Sequence, residues 1–193
     1  MTAPRWAWWI ATGFGSGRLK PAPGTWGSLA ALVAWLMVVA LGPLRVFSWA
    51  MLHRDHSVAI GVGYWSMEAL FLALPLLATW VGIRASNHVL RETGAKDPSY
   101  IVIDEWAGLW IALWPVRWVV TLNLFRMLGH PTWESTALLA VPFALFRLFD
   151  IWKPWPIRQI QSLPEGEGVM ADDVVAGLYA LVLTQALLPL LTP

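Results

Sequence analysis

The chain has 193 residues, of which 58% are hydrophobic and only 13% charged, and its formal net charge is +1. A soluble domain usually carries about 25% charged residues, so this composition predicts a chain dissolved in a bilayer, organised as one domain over 1–193. The near-zero charge and the lack of a basic run exclude a nucleic-acid footprint, and the absence of Cys excludes disulfides and thiolate metal sites.

The first thirteen residues hold Trp6, Trp8 and Trp9 around a single Arg5. Their apolar patch is shorter than the roughly 7–15 residues of a signal-peptide core, so the segment reads as an interfacial anchor. Five apolar segments follow. The first runs from about Leu29 to Leu41 and extends toward Phe47. The second is Val58 to Ile83, with Glu68 inside. The third is Trp106 to Leu124 and carries Arg117. The fourth is Thr132 to Phe149, and the fifth is Val174 to Leu191. A spanning helix needs about 20 mainly apolar residues, so only the second has length to spare; snorkelling of end charges accommodates the others. A very hydrophobic soluble helix bundle is the alternative. No alternating strand pattern of useful length occurs. The expected fold is all-α: a compact multi-helix membrane bundle of about four to five hydrophobic helices.

If all five segments cross, the polar stretches divide between two sides. One side collects Arg5, Arg18, Lys20, Arg84, Arg91, Lys96, Arg147, Lys153 and Arg158, nine of the thirteen cations. The other receives Arg45, Arg54, Arg117 and Arg126. The positive-inside rule makes the first side cytoplasmic. The same side also collects Glu92, Asp97, Asp104, Glu105, Asp150, Glu165, Glu167, Asp172 and Asp173, nine of the twelve acids. An orientation rule does not gather acids, so this face is expected to use both signs of charge, as a metal–phosphate site does.

Four constellations lie on that side. Gly13–Ser28 (GFGSGRLKPAPGTWGS) is rich in Gly and Pro, as suits a loop whose backbone approaches a ligand; Arg18 and Lys20 add charge to it, and Thr25 and Ser28 add hydroxyls. Ser28 is placed to cap the next helix. The block lacks the Gly-Lys-Ser/Thr ending of a P-loop. Asp97–Glu105 ends in two acids that open an apolar helix; the helix dipole accounts for acids there, and so does metal ligation. Arg147 and Asp150, at i and i+3, share a helix face that Lys153-Pro154-Trp155-Pro156 ends, with Arg158 beyond it. Gly166–Gly177 contains Asp172 and Asp173, where Asp172 reads either as an N-cap or as a ligand.

These blocks together resemble the phosphatidylglycerophosphatase A family of bacterial inner-membrane lipid phosphatases. The resemblance rests on Gly13–Ser28, on the DP…IVIDE..G pattern of Asp97–Gly108, and on FRLFDIWKPWPIR…GEGVMADDVVAG within Phe146–Gly177. It implies Mg²⁺-dependent hydrolysis of the terminal phosphate monoester of phosphatidylglycerophosphate to phosphatidylglycerol, at a site facing the cytoplasm. Carried over by position, the acidic motif residues are Asp97, Asp104, Glu105, Asp150, Asp172 and Asp173, and the basic ones include Lys153 and Arg158. The expected catalytic set is Asp104, Glu105, Asp150 and Asp173, and the expected metal set is Asp104, Asp150, Asp172 and Asp173. Lys20, Thr25, Arg147, Lys153 and Arg158 are expected to bind the substrate phosphate. Either a bound water or an Asp is the nucleophile. The partners implied are the lipid substrate and the bilayer, with no oligomeric state assigned. Two other classes are an alcohol-phosphate transferase-like enzyme on phosphorylated head groups and a non-enzymatic transporter or interaction protein. The first expects a spaced Asp/Gly/Ala-Arg pattern that is missing; the second expects acids strung through the spans.

Overall fold

The computed structural model describes residues 2–52 and 56–192, with the side chains of 43–52, 56–60 and 125 left aside. Among the described residues the regular structure is helical, with no strand. α1 is Arg5–Ala11, and a 3₁₀ turn occupies Ser16–Arg18. α2 is Pro23–Leu52, α3 is His56–Thr93 and α4 is Ile103–Ala112. A second 3₁₀ turn, Trp114–Val116, leads into α5, Arg117–Gly129. α6 is Trp133–Trp152, α7 is Ile157–Ile160 and α8 is Glu165–Leu191. The all-α expectation holds. Helices α2, α3, α6 and α8 each contain a stretch long and apolar enough to cross a membrane. Of the cations assigned to the other side, Arg54 lies outside the described residues and the side chain of Arg45 is among those left aside.

Two boundaries differ from the sequence expectation for the same reason. α2 begins at Pro23 rather than Leu29, and α8 at Glu165 rather than Val174. In both cases the Gly-containing stretch taken for a loop is the first turns of the helix. Proline is tolerated at a first helical position because its missing N–H has no intrahelical partner there. At α8 the glycines let backbones touch. A methyl on Gly166 would meet the Ile83 carbonyl oxygen at 2.6 Å and Asn87 Oδ1 at 2.7 Å. Ser28 is therefore inside α2 and caps nothing; its hydroxyl donates to the Gly24 carbonyl at 2.9 Å.

The third apolar segment is not one helix. It is α4 and α5, bent by 48° across the turn that contains Pro115. Proline removes a helical hydrogen bond and crowds the preceding turn, which accounts for the break. Polar groups fasten the break to α3. Arg117 Nη2 and Trp118 Nε1 both donate to Glu68 Oε1 at 2.6 Å, and Arg117 Nη1 donates to the Trp114 carbonyl at 2.7 Å. Each charged side chain of this pair is about one-sixth exposed (16% and 15%). Removing one partner leaves an unpaired charge at low dielectric. Glu68→Ala should therefore destabilise the fold by about 3 kcal/mol, whereas replacing Glu68 and Arg117 together by Leu should recover most of that. Thermal unfolding of the single and double variants in detergent reads the difference; equal loss in both would show that packing, not charge, holds the break.

α4 is the axis of the bundle. It packs against α2, α3, α6 and α8, and buries Ile103, Glu105, Trp106, Ala107, Gly108, Leu109 and Ala112. Its crossing with α8 is backbone-close, because a methyl on Gly177 would overlap the Gly108 carbonyl oxygen. Small residues permit such approach between apolar helices. Phe146 of α6 lies against Gly108 and completes the core there. The large exposed side chains, among them Trp65, Leu122, Ile151 and Leu190, lie on the outside of the bundle, as a lipid-facing surface requires.

Candidate active site

The order of helices brings five termini to one end: the starts of α2, α4 and α8 and the ends of α3 and α6. Polar ties hold them in register. Asn87 Oδ1 of α3 accepts from the Gly166 N–H at 2.6 Å, Arg91 pairs with Glu165 at 2.7 Å, and the Ala11 carbonyl accepts from the Val102 N–H at 2.8 Å. The first turn of α4 carries Asp104 and Glu105, the last two turns of α6 carry Arg147 and Asp150, and α8 carries Asp172 and Asp173 two turns in. Because α8 starts at Glu165, preceded by Pro164, Asp172 is not its N-cap.

Asp104, Glu105 and Asp173 offer one carboxylate oxygen each, all within 4.8 Å of one another. Adjacent helical residues diverge by about 100°, yet Asp104 and Glu105 both reach this point; the extra methylene of Glu and the turn of Asp104 Oδ1 toward the Glu105 N–H (3.1 Å) close the gap. Glu105, Asp172 and Asp173 are only 8%, 4% and 3% exposed, so none is a surface acid. Glu105 Oε2 is buried with no hydrogen-bond partner. A buried carboxylate oxygen left bare costs free energy that a further ligand would offset.

The other two acids are held by cations. Arg147 Nη1 pairs with Asp150 Oδ2 at 2.6 Å, approaches Glu105 Oε1 at 3.7 Å, and donates to Ser28 Oγ at 3.4 Å. Lys153 Nζ donates to Asp172 Oδ2 at 2.6 Å. Lys153 ends α6 in the left-handed region, at φ 48°, a strained choice for a non-glycine residue that turns the chain at the site. Burial lowers the pKa of its ammonium, but the hydrogen bond and the charge of Asp172 outweigh it, and the group sits above its ordinary value. Gly24 closes the wall: a methyl there would overlap Glu105 Oε1 and come within 3.3 Å of the Arg147 guanidinium.

Charge arithmetic then limits what the cluster can bind. Asp104, Glu105, Asp150, Asp172 and Asp173 face Arg147 and Lys153, a formal excess of three negative charges. A phosphate dianion enters such a site only with added positive charge. Oxygen donors of this kind suit a hard divalent cation such as Mg²⁺, and Asp104, Glu105 and Asp173 are the group placed to hold it. Glu105 thus joins the geometry expected of a metal group, while Asp150 and Asp172 spend an oxygen each on a cation.

The structure does not gather every residue singled out from sequence. Thr25 is half-buried beside Gly24, in the first turn of α2. Lys20 and Arg158 are exposed at the same end and take no part in the ion pairs of the cluster. Asp97 is exposed and accepts from Gln161 Nε2 at 3.2 Å. Gly24, and the acceptance by Ser28 Oγ of a hydrogen bond from Arg147, are the parts the sequence did not show. Their signal was the Gly-rich block itself, taken for a loop over the ligand rather than for a helix start packed on an arginine.

The phosphatidylglycerophosphatase A family model matches residues 9–188. The chain belongs to the phosphatidylglycerophosphatase A family. The match takes in α2 through most of α8, so every residue of the cluster lies within it. Among curated proteins, a phosphatidylglycerophosphatase A of Haemophilus influenzae is 33% identical over 92% of this chain and 86% of its own. The Escherichia coli phosphatidylglycerophosphatase A is 31% identical over 89% of this chain and 77% of its own. A Bacteroides thetaiotaomicron protein, provisionally named phosphatidylinositol-3-phosphatase, is 36% identical over 90% of this chain and 88% of its own. No solved structure matches the chain.

Proposed function

We propose that this protein is a multi-pass membrane phosphatase that removes the terminal phosphate of phosphatidylglycerophosphate to give phosphatidylglycerol. The reaction face is cytoplasmic, in a bacterial inner membrane, and Mg²⁺ is the cofactor. The observation that carries the reading is the buried excess of carboxylates at one mouth of the bundle, in a member of this family. When bound, Mg²⁺ supplies positive charge to the phosphoryl oxygens and lowers the pKa of a coordinated water.

The chain's own residues do the rest. Asp104, Glu105 and Asp173 supply the oxygen donors. Arg147 and Lys153 place fixed positive charge where the equatorial oxygens of a transferring phosphoryl group gain negative charge, a preorganised stabilisation that a buried site strengthens. Asp150 and Asp172 fix the rotamers of those two cations. Gly24 lets the α2 backbone stand against the site, with the positive end of a long helix directed to it. Apolar outer faces of α2 and α6 keep the lipid tails in the bilayer while the head group reaches the cluster.

The test is phosphate release from phosphatidylglycerophosphate in mixed micelles, with Mg²⁺ and with excess chelator. Release that depends on Mg²⁺ is expected. Full turnover in chelator would remove the metal from the proposal. A second substrate deserves a parallel arm, because one relative of comparable similarity carries a name for phosphatidylinositol 3-phosphate. Both lipids present a monoester phosphate on a polyol head. Turnover of the inositol lipid alone would keep the chemistry and replace the substrate.

A further inference from the structure

Two hollows adjoin on the outside of α1, at the same end of the bundle as the carboxylate cluster but separate from it. One, of about 240 Å³, is lined by Trp8, Trp9, Thr12, Phe14, Gly15 and Arg18. The other, of about 300 Å³, is lined by Arg5, Trp8, Trp9 and Arg18. No acid lines either. Among the described residues neither Arg5 nor Arg18 meets a carboxylate within salt-bridge distance. The nearby acid Glu92 accepts from Trp8 Nε1 at 2.7 Å and from the Ala3 N–H at 3.1 Å, so it is committed to the indole N–H and the backbone rather than to either arginine. The Arg18 guanidinium stands 6.0 Å from the centre of the Trp8 ring, at the outer range of a cation–π contact.

The proposed activity uses neither arginine. Arg18 lies in the Gly-rich block, yet it turns to α1 and not to the acids. The rim is apolar and exposed, with Trp9 and Phe14 in edge contact at 6.5 Å. Two arginines that line one hollow with Trp8 and Trp9, beside an exposed aromatic rim, match one ligand chemistry: a phosphate that carries acyl chains. Guanidinium forks suit phosphate oxygens, and indoles sit at head-group depth.

We infer that Arg5, Trp8, Trp9 and Arg18 form an accessory site for the head-group phosphate of an anionic glycerophospholipid, distinct from the catalytic cluster. The site is built on a segment that also braces the catalytic helix. The Ala11 carbonyl accepts from the Val102 N–H at 2.8 Å, Phe14 packs 5.5 Å from Trp106, and Gly17 lies against the Tyr100 carbonyl. A lipid held there pins the segment that leads into Asp104 and Glu105.

The test uses the full-length, delipidated protein in neutral detergent. Retention of phosphatidylglycerol, of phosphatidylcholine and of inorganic phosphate is measured by native mass spectrometry for wild type and for Arg5→Gln/Arg18→Gln. Phosphatidylglycerol can also enter the catalytic cluster, so the difference between wild type and variant is the readout. Wild type should hold one more anionic lipid than the double variant, with affinity for that lipid about thirtyfold higher, as two arginines near an anionic surface give. Phosphatidylcholine should not replace it, and inorganic phosphate should compete only weakly. Equal retention by wild type and variant overturns the site; full competition by inorganic phosphate overturns the lipid. If the double variant does not fold, the wild type alone decides. A head-group photoreactive phosphatidylglycerol should label the peptide 5–18, and excess phosphatidylglycerol but not phosphatidylcholine should suppress the label. Labelling that is absent, or suppressed equally by both lipids, overturns the inference. Turnover of a short-chain substrate by a folded double variant should stay within about twofold of wild type, which separates this site from the catalytic cluster.

Discussion

Asp173→Asn and Glu105→Gln should each lower kcat for monoester hydrolysis by about a thousandfold and leave the fold intact. The amides keep shape and volume. What they remove is one negative charge from a cluster with a formal excess of three, together with a donor oxygen from the group within 4.8 Å. The effect on stability should run the other way. Like charges gathered in a buried site repel, so each variant should melt at the same temperature as wild type or higher when no divalent ion is present. Mg²⁺ should raise the melting temperature of wild type, since a ligand that binds only the folded state stabilises it, and should do so far less for either variant. The combination separates a site residue from a structural one. A residue needed only for packing loses stability and activity together; here activity falls while stability holds. Turnover within tenfold of wild type in both variants, with the metal response preserved, would remove Glu105 and Asp173 from the site.

The helices were legible from hydropathy because a bilayer imposes length and apolarity on each crossing. The positions where they begin were not, because those are set by contacts between distant residues. Gly166-Glu167-Gly168 has the composition of a loop. It is helical because Gly166 and Gly168 allow backbone contact with Ile83 and Leu163, and because Asn87 accepts the Gly166 N–H. That shift changes the chemistry: Asp172 and Asp173 move from a helix mouth into its buried third turn. Likewise Pro23-Gly24-Thr25 is the first turn of α2, which sets Gly24 against Glu105 and Arg147. Pro115 was visible inside the third apolar segment, but hydropathy stays high across it, so apolarity alone gave no sign of the 48° bend. The pairing of Arg147 with Asp150 was legible, since i,i+3 spacing on a helix decides it. The partner of Lys153 was not, because it depends on the left-handed turn that ends α6 and on where α8 begins.

Lys153→Met should reduce kcat by about a hundredfold, and the reason lies in how the ammonium is held. Lys153 is at φ 48° and its Nζ donates to Asp172 Oδ2 at 2.6 Å. Lys153→Gly removes the same charge but suits the left-handed backbone better, so it should be as inactive as Lys153→Met while melting at a higher temperature. That ordering distinguishes loss of charge from loss of the turn. The pH response follows from the sign of the shift. The folded-state pKa lies above the ordinary 10.5. Its contribution to stability is therefore complete below the unfolded value and is lost only as pH rises through the raised folded value. Across pH 6 to 9 the ammonium stays charged, so the Lys153→Met profile of kcat against pH should parallel that of wild type at lower amplitude. A limb that vanishes from the profile in Lys153→Met would mean that Lys153 exchanges a proton in the reaction, and the fixed-charge role would fall. Asp172→Asn gives the complement. It leaves the ammonium in place without its carboxylate partner, so it should lower kcat less than Lys153→Met does, because Asp172 acts by aiming the cation rather than by touching the phosphate.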